Sequence, residues 1–381
     1  MINLWGQAAG GAGSLSFLLP LTDSGAGAVN TVPVISGGSP TATFVRATTA
    51  WTKLSTGLWA QVAIGVARSA YLGATTAVGA YGGYFCEGQR TNLCLQSRDL
   101  STTWTALNAT LVKDQAGIDG VASSASSMTA TAINGSALQT ITEAATLSAF
   151  SVFIQRITGS GTVTIQQGAS TLEVSASLNS STYTRVEIDA TVLNPIVGIV
   201  LGTSGDKIAV DMCQFENGGF ASSPTPATTV AVTRNADVLT YPAAGNISNA
   251  TFTAYAEFAS STANASWASG GVVVVGGTNS DPISVSSSTL TTYDTGLRTL
   301  ATGLTPSISI QKVAVAQNGS TINGYLNGSL TNNSPQTAHA YSISPIGIGV
   351  SGSIYQLFGT IRNVRIYPTA LSAAQLQAMT T

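Results

Sequence analysis

Short runs of β-branched and aromatic residues, each closed by Gly, Ser or Asn, follow one another along most of this chain and leave it few folds to choose from. Residues 148–156 (SAFSVFIQR), 161–167 (GTVTIQQ), 183–189 (YTRVEID) and 207–215 (KIAVDMCQF) each predict a strand with one buried face. The second half continues in the same manner. Residues 251–258 alternate as TFTAYAEF, residues 272–275 are four valines, and residues 311–317 run into Asn318-Gly319. That dipeptide, repeated at Asn327-Gly328, predicts hairpins, because a two-residue turn of the favoured hand needs φ > 0 at both positions. Many short strands with frequent turns predict antiparallel sandwiches, not βαβ units. One helix is expected, at the C-terminus: Ser372 stands as N-cap, Gln375 at the capping-box position, and Leu376 and Met379 three apart. It is expected against the edge of the last sandwich.

At 381 residues the chain exceeds a typical single domain, so two or three domains are expected. Only 8% of its residues are charged, against about 25% in ordinary soluble proteins, so Gly, Ser, Thr, Ala and Asn must supply the surface. With 14 Lys and Arg against 16 Asp and Glu, the net charge of -2 sets up no field that gathers phosphates, and no nucleic acid partner is expected. Near-neutral surfaces associate, so the chain is read as part of an oligomer or larger assembly. No apolar run reaches the ~18 residues of a membrane-crossing helix, and the apolar stretch 14–21 lacks a basic flank, so neither membrane insertion nor a secretion signal is expected. Cys86, Cys94 and Cys213 are an odd number. They leave a Cys86–Cys94 bridge open, with three small buried thiols in a reducing cytoplasm preferred.

The Pro-containing stretch 222–229 (SSPTPATT) is read as an extended linker. Residues 1–86, rich in Gly and Ala with Trp5, Trp51 and Trp59 scattered among them, cannot build a large core alone, and are read as a docking arm that packs on a neighbour. The expected organisation is residues 1–86 as an N-terminal docking arm with some strands, and sandwich domains over 87–226 and 227–381.

Charge gathers at Glu87, Arg90, Arg98 and Asp99. The segment Glu87-Gly88-Gln89-Arg90-Thr91-Asn92-Leu93, with Ser97-Arg98-Asp99-Leu100 and Trp104, resembles the opening of a jelly roll found in many bacteriophage virion proteins. The closing partner of that pattern is matched by Gln214-Phe215-Glu216-Asn217-Gly218, Ser222-Ser223-Pro224-Thr225 and Thr233-Arg234-Asn235-Ala236-Asp237. Residues 240–381 resemble a concanavalin A-like (laminin G-like) sandwich, through residues 312–316, 324–328 and 359–367. Before residue 87 the likeness is loose, through Phe44-Val45-Arg46-Ala47. The resemblance implies an all-β fold: two antiparallel β-sandwich (jelly-roll) domains preceded by an extended N-terminal arm with some strands, and followed by a short C-terminal helix. It implies a virion structural protein that decorates or stabilises the capsid surface, with weak adhesion to host glycans as an accessory role. The alternative is a tail fibre or spike subunit that binds a receptor. The expected partners are copies of itself in a homotrimer, other virion proteins such as the capsid shell, and host surface glycans.

A charge inside a largely neutral protein persists where it is paired or accepts backbone donors. Glu87, Arg90, Arg98 and Asp99, with Glu216, Arg234 and Asp237, are therefore read as ties at the loops where one module hands over to the next. Catalysis finds little support. His339 is the only imidazole and no G-x-S-x-G elbow accompanies it, while Glu187-Ile188-Asp189 offers two of the three carboxylates of an E-x-D-x-E glycosidase strand; no enzyme is expected. Gly347 to Gly352 fits G-x-G-x-x-G without the helix a dinucleotide site requires, and no organic cofactor is expected. The likeness to carbohydrate-binding jelly rolls places a candidate calcium between Asp99 and Asp211. Trp267, Tyr293 and Tyr325 are the candidate aromatic platform for glycans.

Overall fold

The structure is a computed structural model, and it describes residues 17–19, 43–54, 56–71, 81–242, 251–260, 270–275, 283–285, 289–293, 297–302, 309–319, 321–335, 346–351 and 355–381. The fold is all-β, in almost wholly antiparallel sheets, with one α-helix among the described residues, Ala373–Thr380.

The strands expected between residues 148 and 215 form at Leu147–Thr158, Val163–Gln167, Thr184–Thr191 and Lys207–Asn217. Their apolar alternation assigns each a face. Phe150, Val152 and Ile154 point inward from the longest of them and share one core with Val163, Ile165, Ile199 and Leu201 of the facing sheet. Each such side chain stabilises the fold by about 1.5–3 kcal/mol. One sheet runs Thr184–Thr191, Leu147–Thr158, Lys207–Asn217, Ala125–Ala130, Ala109–Gln115; the other runs Ser170–Glu173, Val163–Gln167, Ile196–Leu201, Gly135–Thr140, Thr105–Leu107. Cys94 and Cys213 lie in this core, and all three thiols are buried and free.

The second sandwich is assembled from both ends of the chain. One sheet follows the order Ser329–Pro335, Thr321–Leu326, Gln311–Asn318, Thr251–Ser260, Gly359–Tyr367, Tyr81–Cys86, Arg68–Tyr71, and Phe17–Leu19 also pairs with Gly359–Tyr367. The facing sheet begins Thr43–Val45, Val238–Tyr241, Ile346–Ile348, Gly270–Val275 and continues through Ile283–Val285, Thr289–Tyr293 and Leu297–Thr302. Phe252, Phe258, Ile361 and Ile366 meet Leu239, Tyr241, Ile346 and Ile348 between them.

Residues 1–86 are therefore not a separate arm where the structure describes them, which corrects the expected division. The strands Phe17–Leu19, Thr43–Val45, Arg68–Tyr71 and Tyr81–Cys86 belong to the sheets of the second sandwich. A Gly- and Ala-rich segment with no core of its own satisfies its backbone groups by adding strands to sheets that already have one. The first sandwich is thus an insertion into the second. The chain passes into it through Arg90–Asn92 and returns through Val232–Arg234, and these two strands pair antiparallel as a narrow neck.

Three local expectations change. Asn318 pairs with Thr321, so Asn318 is the last strand residue and the turn begins at Gly319 (φ 52°), whereas Asn327 (φ 48°) and Gly328 (φ 80°) form the expected two-residue turn. The stretch 222–229 is not a solvated linker. Ser222, Ser223, Thr225 and Ala227 are buried, and Ser97 N–H donates to the Ala227 carbonyl at 2.9 Å. The terminal helix has its expected capping box, Ser372 with Gln375, and it packs Leu376 against Tyr255, Ala314, Ala316 and Tyr325, on the outer sheet face and not at its rim.

Candidate functional site

The neck meets the second sandwich at a buried ionic joint. Arg46, Arg68, Glu87, Arg234 and Asp237 are each no more than 1% exposed. They arrive from four places: Arg46 follows the strand Thr43–Val45, Arg68 opens the strand Arg68–Tyr71, Glu87 follows Tyr81–Cys86, and Arg234 and Asp237 lie where the chain returns. Asp237 accepts from Arg46 Nη1 at 2.7 Å, from Arg68 Nη2, and from the Glu87 backbone N–H at 3.1 Å. Glu87 stands 3.0 Å from Arg68 Nη2 and 3.4 Å from Arg234 Nη2, and it accepts from the Ser223 backbone N–H at 2.8 Å and from the Ser223 hydroxyl. Arg68 Nη1 donates to Ser223 Oγ at 2.8 Å and to the Trp51 carbonyl at 2.9 Å, and Arg234 Nη2 donates to the Gly88 carbonyl at 2.6 Å.

Electrostatics divide these groups unevenly, since three guanidiniums share two carboxylates. Burial alone would raise the Glu87 carboxyl, but Arg234, Arg68 and Ser223 hold it down to about 2. Burial pulls Arg68 down, and Asp237 and Glu87 more than reverse that, so it rises above its ordinary value. Arg234 ends below its ordinary value, because burial and the neighbouring Arg68 outweigh the help of Glu87 and Asp237. The arrangement holds no exposed nucleophile or base. What it can do is fix strands together in a dry place, where an unpaired charge is costly.

Of the other charged residues singled out in the sequence, Arg90 and Glu216 lie near this joint, and Arg98 and Asp99 lie apart from it. Arg90 places its guanidinium 5.0 Å from the Phe220 ring and 4.6 Å from the Phe358 ring, and it donates to the Asn217 carbonyl at 2.5 Å. Gly218 (φ 118°) leaves it room, because a Cβ there would stand 2.6 Å from Arg90 Nη2. Glu216 accepts from the Ser222 backbone N–H and from its hydroxyl at 2.7 Å, and burial pushes its carboxyl up. Arg98 belongs to a separate cluster on the first sandwich: it binds both oxygens of Asp211, at 2.8 and 3.0 Å, and Asp119 at 2.8 Å. Asp99 accepts from the Ser101 hydroxyl at 2.5 Å and lies 3.7 Å from Lys113 Nζ. It takes part in no contact between the sandwiches that the structure records.

The calcium expectation does not fit this geometry. Asp211 also accepts from the backbone N–H groups of Ile118 and Met212, at 2.8 and 2.9 Å, so Arg98 already stands as its cation, while Asp99 is engaged elsewhere. Burial nevertheless pushes the Asp211 carboxyl up. No group of three or more His, Cys, Asp or Glu able to hold a metal ion occurs among the described residues. The aromatic platform changes too. Tyr325 is buried beneath the terminal helix and offers no open ring face; Tyr293 ends a strand of the facing sheet; Trp267 lies outside the described residues, as does His339. Glu187 accepts from the Ala221 backbone N–H at 3.0 Å.

Arg46 and Arg68 are the joint residues that the motif reading did not single out. Their signal was present: in a chain with 8% charge, an arginine flanked by apolar strand residues, as in Phe44-Val45-Arg46-Ala47 and Val66-Ala67-Arg68, needs a buried partner.

No protein-family model matches this chain, and no curated protein does. Among solved structures it is similar to the CBM40 domain of the Ruminococcus gnavus IT-sialidase bound to α2,3-sialyllactose, at 17% identity over 35% of this chain and 83% of that one, with a TM-score of 0.30. Domain 4 of AbnA, a GH43 extracellular arabinanase from Geobacillus stearothermophilus in complex with arabinotriose, is similar at 13% identity over 43% of this chain and 84% of that one, with a TM-score of 0.32. Botulinum neurotoxin type C is similar at 12% identity over 38% of this chain and 40% of that one, with a TM-score of 0.30. TM-scores of this size tie the chain to none of these proteins' ligands.

Proposed function

We propose that this chain is a structural protein of a bacteriophage particle, one that decorates or stabilises the capsid surface by association and rigidity and performs no catalysis. The observation that carries this reading is the joint. The opening motif, through Glu87, and the closing motif, through Ser223, Arg234 and Asp237, are far apart in sequence and bond to one another in a buried place. Residues of that kind serve architecture, since no ligand reaches them. The reading includes a homotrimer assembled in the host cytoplasm, docked on other virion proteins, with host glycans as weak outside partners.

Copy number tests it. Particles purified from an infected host and quantified by mass spectrometry are expected to carry hundreds of copies of this chain. A few to a few dozen copies would move it to the tail as a receptor-binding fibre, and absence from the particle would remove the virion reading altogether. Glycan hydrolysis assays are expected to give the same background with the wild-type chain and with Glu187→Gln.

A further inference from the structure

A neck of two short strands is a poor way to hold two domains still, because relative motion is the default unless a second contact removes it. The neck here has three paired residues on each strand, from Val232↔Asn92 to Arg234↔Arg90. The ionic joint and Phe220, whose ring meets Phe358 at 5.1 Å, back the neck at its own end, and a further contact exists away from it. The strands Ala50–Lys53 and Trp59–Val62 form a hairpin that pairs only with itself, in neither sandwich's sheets. Its two roots are in the second sandwich, at Thr43–Val45 and Arg68–Tyr71. Its body lies on the outer face of the first.

The seat is built from both sides. Trp51 packs with Ile118, Phe153 and Met212, residues that the first sandwich points away from its own core, and Trp59 and Tyr183 pack against the same cluster. The Trp59 ring meets Phe153 edge-on at 5.9 Å, and its backbone N–H donates to the Ile118 carbonyl at 2.9 Å. The Arg98 guanidinium, held by Asp211 and Asp119, lies 5.6 Å from the Trp51 ring. From the other side, Arg68 of the ionic joint grips the Trp51 carbonyl. The segment therefore leaves the second sandwich, crosses to the first and returns.

We propose that the paired strands Ala50–Lys53 and Trp59–Val62 are a strap that locks the two sandwiches in a single orientation. With the strap seated, rotation about the neck would pull Trp51 and Trp59 off Phe153 and Met212. Without it, the first sandwich is held at one end alone, by the neck, the ionic joint and the Phe220–Phe358 contact beside them, and it tilts about that end. The strap acts by position and does not depend on the virion reading.

Paired spin labels test this. Thr171 of the first sandwich and Ala374 of the terminal helix are exposed, while the three native thiols are buried, so Thr171→Cys and Ala374→Cys take the labels in the full chain. A single narrow label-to-label distance is expected with the strap intact. Trp51→Ala/Trp59→Ala is expected to lose it, giving a broad distribution, while hydrogen exchange in Leu147–Thr158 and Thr251–Ser260 stays slow. Trp59→Phe, which keeps a ring edge for Phe153, is expected to keep the narrow distance. Should the double variant melt either sandwich, Trp59→Ala alone carries the same expectation. A narrow, unshifted distance in the folded alanine variants overturns the proposal, and so does a broad distance in the unaltered strap.

Discussion

Asp237 receives two arginines and a backbone N–H while fully buried from solvent, so its charge has consequences that a surface carboxylate lacks. Asp237→Asn leaves three guanidiniums against Glu87 alone, and removing one partner of a buried pair costs about 3–5 kcal/mol. Asp99→Asn, beside half-exposed Lys113, is expected to change stability by less than about 0.5 kcal/mol. Urea unfolding of the two variants measures the contrast. Glu87 adds a pH dependence. Its carboxyl is held at about 2 in the fold against 4.5 in the unfolded chain, so its stabilisation is full above 4.5 and is lost as pH falls to about 2. The amount is on the order of 3 kcal/mol. Glu216 and Asp211, pushed up by burial, act in the opposite sense, because protonation relieves them. The acid limb of wild type set against Glu87→Gln therefore isolates the joint: the gap between the two curves is expected to narrow between pH 4.5 and pH 2.

Among the elements, Tyr81–Cys86 shows how closely the N-terminal strands fit. A Cβ on Gly83 (φ 122°) would stand 2.3 Å from the Ile361 carbonyl oxygen. Gly83→Ala is expected to destabilise by at least about 1–3 kcal/mol, read as a lower melting temperature. A fragment of residues 227–381 is expected to stay unfolded by circular dichroism, because Thr43–Val45, Arg68–Tyr71 and Tyr81–Cys86 are missing from its sheets. A fragment of residues 43–381 is expected to fold. The strands themselves were legible, since SAFSVFIQR and KIAVDMCQF carry their period and turn residues within themselves. So was the helix, through Ser372 and Gln375. Where the strands of residues 43–86 would go was not legible, because period two marks a buried face without naming the sheet it joins. For the joint, the motifs pointed to Glu87, Arg234 and Asp237. Arg46 and Arg68 escaped because their partners lie 191 and 169 residues away.

At the scale of the molecule, the two sandwiches share a neck, an ionic joint and a strap that take several of the few charges inside, and the exposed positions among the described residues include apolar side chains such as Leu107 and Ile133 beside Ser, Thr, Asn, Gly and Ala. Contacts between copies made through such groups desolvate little charge. Association measured by sedimentation is therefore expected to hold from low salt to about 0.5 M, where screening removes interactions between exposed ions. A collapse to monomers over that range counts against the homotrimer.

The pairing of Cys86 with Gly359 also sets a timetable for biosynthesis. A ribosome releases the whole inserted sandwich before it makes the strand that Tyr81–Cys86 needs. Until then that strand and its upstream neighbours emerge with open edges, exposed to nascent chains on the same messenger. Early closure of residues 93–227 around their own core is expected to shorten the time for which those edges stay open.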